Sequence, residues 1–134
     1  MPQRDTPPVT SDDIALVRQA YETWNREGPA AIAPLLADGV EVHDAPELPD
    51  AQMWKGRDAV IGRLQAVADA MGGGYVEFEG FEPRAGGVLV TMVWELGTGA
   101  RPAELGKVFH LVDAAGDEIT RIRVFLTAAD VPAD

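Results

Sequence analysis

The sequence predicts a single α+β domain, in which helices occupy the first half of the chain and strands the second. Apolar residues recur every three or four positions over 14–24 and again over 60–71, which is the spacing of an amphipathic helix. From residue 75 onward the apolar residues fall into short runs separated by turns rich in Pro and Gly. Three helices packed on a mostly antiparallel sheet are therefore expected, with no internal repeat.

Local signals set the bounds of the helices. Ser11 is the predicted N-cap of the first helix, which should end near Gly28. A short second helix is expected over 29–37, followed directly by a turn at 38–39. The third helix should stop at the three glycines 72–74, which follow a helix and so do not form a phosphate-binding loop.

One strand is expected before the third helix, at 40–44, and four strands after it. The last three strands are apolar on both faces, whereas an antiparallel sheet with one face in water shows a polar side. Since three helices can cover only one face, a second copy of the chain is predicted to cover the other. The result would be a homodimer joined through the sheet. The four later strands are expected over 75–81, 88–96, 105–113 and 118–126.

The composition excludes several classes of protein. The 134 residues carry 22 acidic and 11 basic side chains, so a nucleic acid or an anionic membrane would be repelled. There is no cysteine, and the two histidines have no recognisable metal-ligand spacing, so neither a metal nor another cofactor is expected. A flexible leader over 1–10 should precede one domain over 11–130. Without an apolar signal core or a membrane span, a soluble cytoplasmic protein is expected.

The main chemical clue lies where the first predicted strand ends. Strict alternation places Asp44 on the same side as Val40 and Val42, where an unpaired charge is costly. Together with Trp54, this apolar wall would make Asp44 a stronger proton acceptor than a solvated aspartate, as a general base requires. The structural alternative is an aspartate that hydrogen-bonds the backbone of the following loop. His43 should face the opposite side and be structural or interfacial.

Four segments carry a family resemblance: Trp24–Gly28, Leu35–Asp44, Trp54–Gly56 and Gly116–Phe125. Together they resemble the SnoaL-like proteins of the nuclear transport factor 2-like superfamily, which also contains the ketosteroid isomerases. The resemblance implies a cone-shaped α+β barrel, with three N-terminal helices packed on a curved sheet that encloses a pocket. It also implies cofactor-independent acid/base chemistry in that pocket.

Laid against the ketosteroid isomerases, Asp44 falls on the position of their general base. Their two oxyanion donors fall on Ala20 and Val108, neither of which has a side chain that can donate a hydrogen bond. Steroid isomerisation by that mechanism is therefore not expected, and epoxide hydrolysis is also less favoured. The resemblance further implies that one set of strand residues faces the pocket: Val90, Met92, Trp94, Val108, His110, Arg121, Arg123 and Phe125.

Two interpretations stay open for each remaining candidate. His110 lies mid-strand between apolar residues, as either a satisfied core histidine or a residue that acts with Asp44, by donating a proton or by steadying a developing enolate oxygen. Tyr21 is one position from the isomerases' tyrosine and is a candidate pocket donor. Trp54 belongs either to a lid or to the core. Arg123 either pairs at the surface or holds an anionic ligand, and direct pairing with Asp44 would weaken that base.

The leading hypothesis is an enzyme that isomerises, cyclises or dehydrates a small, apolar, carbonyl-type compound, with Asp44 and His110 as catalytic residues. The alternative is a non-catalytic dimeric protein that binds a small ligand in the same pocket, and a third possibility is a scaffold with a filled cavity. The substrate contacts are expected from Tyr21, Trp54, Val90, Met92, Trp94, Val108, Arg123 and Phe125.

Overall fold

The computed structural model describes residues 9–48, 51–70, 75–95 and 104–133. The predicted α+β class is confirmed, with helices preceding most of the sheet. In chain order the elements are α1 (Ser11–Glu27), a 3-10 helix (Pro29–Leu35), β1 (Leu36–His43), β2 (Met53–Lys55), α2 (Arg57–Ala70), β3 (Tyr75–Arg84), β4 (Gly87–Glu95), β5 (Glu104–Ala115), β6 (Glu118–Phe125) and a last 3-10 helix (Ala128–Asp130).

The six strands form one open, mixed sheet in the order β2-β1-β6-β5-β4-β3. All neighbouring strands are antiparallel except β1 and β6, which run parallel. Register shifts in four of the five strand pairs bend the sheet. The helices of the first half pack on one side of this sheet, called here the helix-covered face, and the opposite side is the outer face.

The N-cap of helix α1 lies one residue earlier than predicted. Thr10, not Ser11, is the N-cap: its hydroxyl accepts from the Asp13 N–H at 3.1 Å, and the Asp13 carboxylate accepts from the Thr10 N–H at 3.1 Å. This reciprocal pair is a capping box, which satisfies two donors at the helix start. The helix then buries Val17, Ala20, Tyr21 and Trp24 on one side, at the predicted spacing.

The region of β1 and β2 differs from the prediction in two ways. Strand β1 starts at Leu36, and the expected turn at 38–39 is a shift of register within the strand, between Leu36 and Glu41. Residues 53–55 were expected in a loop but form β2, in which Trp54 lies opposite Val42. A three-residue edge strand is too short to show an alternating pattern in the sequence.

The helix-covered face is built from rows of side chains that run across the strands. One row consists of Val42, Ile122, Val112 and Val88, none more than 1% exposed. Burial of one such aliphatic side chain stabilises the folded state by roughly 1.5–3 kcal/mol, compared with leaving that side chain exposed. The next row toward the end of β1 contains Val124, His110, Val90 and Phe81. It places a polar ring in the middle of an apolar face.

The outer face is covered in part by the chain itself. Leu89, Phe109 and Leu111 point to this side and are buried together with Val131, which follows the last 3-10 helix. Contrary to the expectation, these residues therefore need no second copy of the chain to cover them. Within the described part of the chain, Met53 is the one large apolar side chain classed as exposed. The homodimer stays a prediction.

No helix in the described ranges combines the length and the apolar character needed to cross a membrane.

Candidate functional site

Asp44 follows β1 directly and lies on the helix-covered face, two residues beyond Val42. Because His43 pairs with Arg123 in β6, continuing the parallel register places Asp44 beside Val124, and Val124 pairs with His110 in β5. Two strand spacings separate Asp44 from His110, which corresponds to roughly 10 Å between their Cα atoms. The two predicted catalytic residues are therefore on the same face, with one valine between them.

The Asp44 carboxylate is held by donors from three directions. Its Oδ2 accepts from the indole Nε1 of Trp54 at 2.9 Å and from the backbone N–H of Gln52 at 3.2 Å. Arg63 donates from Nε to Oδ1 at 3.2 Å and places Nη2 at 3.1 Å from Oδ2. The two side chains are 3% and 12% exposed, so this is a nearly dry ion pair. We refer to Asp44, Trp54 and Arg63 as the carboxylate cluster.

The carboxylate cluster has a clear structural role. Asp44 also donates its backbone N–H to the Gln52 carbonyl at 3.1 Å. Asp44 therefore contacts Gln52 through both its backbone and its side chain, and these contacts join the two ends of the loop. The guanidinium of Arg63 lies 5.2 Å from the centroid of the Trp54 ring, a cation–π contact. The structural alternative for Asp44, a hydrogen bond to the following loop, is confirmed, and its role as a base stays a prediction.

Arg63 is the residue that the sequence analysis missed. It lies on α2 beside Val60 and Leu64, which face the core, and this flanking position brings it to the end of β1. In the sequence, Arg63 is only a basic residue close to two positions that face the core. No local pattern relates it to Asp44, which lies 19 residues earlier. Sequence reasoning had instead considered Arg123 as the partner of Asp44.

His110 forms a second polar site with Tyr21 of α1. The Tyr21 Oη lies 2.8 Å from the His110 Nδ1, and Tyr21 is 0% exposed while His110 is 5% exposed. Trp24 stacks on the imidazole at a centroid distance of 6.1 Å and an interplanar angle of 25°. Phe78 and Phe81 contact the tyrosine edge to face. We call these five residues the aromatic box.

Burial sets the protonation states in the aromatic box. It lowers the pKa of His110 to about 3 and raises the pKa of Tyr21 above its ordinary value. At neutral pH the imidazole is therefore uncharged and the phenol keeps its proton. His110 can act there through a hydrogen bond, but not as an imidazolium acid.

The other predicted contacts divide between the two faces. Val90 and Met92 are buried on the helix-covered face, and Val108 is half-buried beside them. Trp54 is also half-buried, as part of the carboxylate cluster. The side chain of Trp94 lies outside the described part of the chain. All of these predicted contacts except Trp94 are thus placed on the expected side.

The placement of Arg121, Arg123 and Phe125 on the pocket side was wrong. Val124 pairs with His110, so its neighbours Arg123 and Phe125, which pair with Leu111 and Phe109, point to the outer face. Alternation within β6 was read correctly, but only its register with β5 decides which set faces the helices.

The two arginines of β6 share a carboxylate on the outer face. Arg121 donates from Nε to Asp113 Oδ2 at 2.7 Å, and the Arg123 Nη2 is 3.8 Å from Asp113 Oδ1. Arg123 therefore has no part in the carboxylate cluster. His43 is also on this face and bonds Glu41 at 2.8 Å, as expected for a residue that points away from Asp44.

A double-mutant cycle tests the coupling inside the aromatic box. Tyr21→Phe and His110→Phe each leave one buried polar group without its partner, so each should lower the free energy of unfolding by about 1–3 kcal/mol. The double variant should lose less than the sum, since it removes both groups. Denaturant unfolding of the four proteins measures this, and strictly additive losses would contradict the coupling.

The lowered pKa of His110 predicts acid sensitivity. In the unfolded state the pKa of His110 is the usual 6.5, whereas in the folded state burial lowers this pKa to about 3. The contribution of His110 is therefore complete above pH 6.5 and is lost as the pH falls toward 3, by about 1.4 kcal/mol per pH unit. The free energy of unfolding, compared between pH 7.5 and 5, should fall more in wild type than in Tyr21→Phe/His110→Phe. Equal falls would contradict a buried neutral histidine.

Comparison with known proteins identifies the fold. A hypothetical protein with a ketosteroid isomerase-like fold from Catenulispora acidiphila, in complex with trimethylamine, is 20% identical and has a TM-score of 0.64 over 87% of this chain and 88% of that chain. TerC, co-crystallised with polyporic acid, is 16% identical and has a TM-score of 0.71 over 89% and 94%. An NTF2-like protein of unknown function from Mesorhizobium loti is 15% identical and has a TM-score of 0.69 over 96% and 98%.

These likenesses show that the domain has the NTF2-like α+β cone fold, as the sequence predicts. A comparison with curated proteins finds no match. The sequence itself matches the SnoaL-like domain over residues 17–122, which is most of its length and includes α2 and all of the strands up to β6. The chain therefore belongs to the SnoaL-like domain family.

Proposed function

We propose that this domain binds a small, largely apolar organic molecule on the helix-covered face, between the carboxylate cluster and the aromatic box. The observation that carries the proposal is His110, an uncharged polar ring set among aromatic and aliphatic side chains. Small-molecule sites are typically apolar surfaces with a few fixed polar groups that orient the ligand. His110 and Asp44 would be those groups here.

Exposure indicates where on this face the ligand would lie. Val90, Met92 and Tyr21 are at most 1% exposed, whereas Val124 and Val108 are only partly buried. Val124 adjoins His110 on the neighbouring strand β6, and Val108 lies two residues before His110 on β5, on the same face of the sheet. An apolar ring resting on them would reach His110 with one edge.

Two structures of the same fold support a binding role. The Catenulispora protein is in complex with trimethylamine, and TerC was co-crystallised with polyporic acid. Both ligands are small organic molecules, although they differ in charge and size. The fold by itself does not select the ligand, so the chemistry of this chain's own residues must do so.

Acid/base catalysis is the second candidate. Asp44 Oδ2 has three contacts, whereas Oδ1 has only the Arg63 Nε at 3.2 Å, so Oδ1 retains capacity to accept a proton or a hydrogen bond. Such a base would suit isomerisation, cyclisation or dehydration of a carbonyl compound, with His110 bonding the carbonyl oxygen. Binding is the first proposal because both oxygens of Asp44 already contact the Arg63 guanidinium.

A titration tests the binding proposal. Isothermal titration with small bicyclic ketones and phenols should show binding to wild type. Val124→Phe fills the space between Asp44 and His110 and should weaken binding by about tenfold or more. His43→Gln, on the outer face, is the matched control and should bind like wild type. Equal binding by Val124→Phe would place the ligand elsewhere, and no binding to wild type would contradict the proposal.

Proton exchange separates the binder from the enzyme. A general base at Asp44 should exchange the α-protons of a bound ketone for deuterium, and proton NMR in heavy water follows this loss directly. Exchange by wild type but not by Asp44→Asn would establish the catalytic candidate. Tight binding without exchange above the buffer rate would leave the binding role alone.

A further inference from the structure

We infer that Tyr21 holds His110 in the tautomer that carries its proton on Nε2, and that this N–H selects ligands with a carbonyl-type acceptor oxygen. Tyr21 is thereby a positioning residue and His110 the specificity-determining contact. The inference rests on the proposed binding function and adds to it the chemical class of the ligand. It differs from a general-acid role, because the imidazole gives a hydrogen bond and keeps its proton.

The direction of the Tyr21–His110 hydrogen bond follows from what the phenol can reach. Tyr21 is 0% exposed, and within the described ranges its hydroxyl has one polar partner, the His110 Nδ1 at 2.8 Å. If Nδ1 carried the proton, the Tyr21 O–H would have no acceptor, which costs the full penalty of an unsatisfied buried donor. The hydroxyl therefore donates to Nδ1.

The position of the imidazole N–H proton follows. A neutral imidazole carries one proton, on one of its two nitrogens. Burial keeps His110 neutral, since its pKa falls to about 3. With Nδ1 acting as acceptor, the proton must be on Nε2, and the second nitrogen is a donor.

This donor is open to a ligand. In the described residues, Arg123 Nε is the one side-chain nitrogen or oxygen found both sealed from solvent and without a partner. His110 Nε2 has no hydrogen-bond partner in the same residues, so it is not sealed, in agreement with the 5% exposure of this residue. We therefore take the Nε2–H group as the donor that a ligand atom would contact.

The surroundings define the kind of ligand to which Nε2–H would donate. Trp24 stacks on the ring, and Val124 and Val90 flank His110 on the neighbouring strands, so the ligand body should be apolar. A donor in a dry, low-dielectric environment is strengthened toward an oxygen with negative charge density, such as that of a ketone, a quinone or an enolate. An ammonium group would meet a donor instead of an acceptor and is disfavoured.

NMR tests the tautomer directly. Long-range proton–nitrogen correlation of the two histidine rings at pH 7, with His43 assigned from His43→Gln, should show His110 protonated on Nε2 and unprotonated on Nδ1. In Tyr21→Phe the fixed donor is gone, and His110 should show a mixture of the two tautomers. A wild-type ring protonated on Nδ1 would overturn the inference, and an unchanged tautomer in Tyr21→Phe would remove Tyr21 from it.

A pair of isosteric ligands tests the selectivity. The probes are 2-acetylnaphthalene and 2-isopropenylnaphthalene, which differ in a carbonyl oxygen against a methylene group. Wild type should bind the ketone roughly fivefold to tenfold more tightly, the value of one hydrogen bond. The ratio should fall to about one in Tyr21→Phe/His110→Phe, which removes both polar groups together, and should be unchanged in His43→Gln.

The outcomes separate this inference from the proposed function. Equal affinity of wild type for the two probes would overturn the inference while leaving binding on the helix-covered face intact. A preference for the ketone that survives in the double variant would also overturn it, since another donor would be responsible. Failure of wild type to bind either probe would contradict both.

Discussion

The hydrogen bond between Tyr21 and His110 is the interaction on which the arrangement of the helix-covered face depends. It joins the middle of α1 to the middle of β5, across a core that is otherwise aromatic and aliphatic. Both groups lose water on folding, so each needs the other to avoid an unsatisfied buried atom. That requirement fixes the rotation of α1 over the sheet more sharply than apolar contacts, which are non-directional, can do. The result is one polar ring, held by a hydrogen bond, on an otherwise apolar surface.

The carboxylate cluster also contains a buried polar group that needs partners, and here the group is a charged one. A buried aspartate is tolerated next to Val42 because Arg63, Trp54 and the Gln52 backbone surround it with donors. A buried ion pair adds little net stability, since desolvation offsets most of the attraction, but removing one partner is costly. Asp44 and Arg63 are therefore better regarded as fixing the loop after β1 than as a large source of stability. Of the two Asp44 oxygens, Oδ1 has fewer donors and is the one that a ligand would contact.

The sequence was sufficient for the fold class, the helices and the four late strands, because these depend on local periodicity and turn residues. It also placed Asp44 on the apolar side of β1, since alternation within one strand is local. It could not decide which face Arg123 and Phe125 occupy, because this depends on the register between β5 and β6. Nor could it find Arg63, whose pairing with Asp44 exists only after α2 has packed beside β1. Long-range pairing, not local structure, was the missing information.

The two histidines of the chain provide the most direct test of the account, because they lie on opposite faces of the sheet. His110 is inside the aromatic box, and His43 is on the outer face beside Glu41. The measurement is a titration with 2-acetylnaphthalene, followed by the ring nitrogen and carbon shifts of both histidines. The account predicts saturable changes at His110 with little change at His43. Changes at His43 alone would contradict it, since the ligand would then be bound to the outer face.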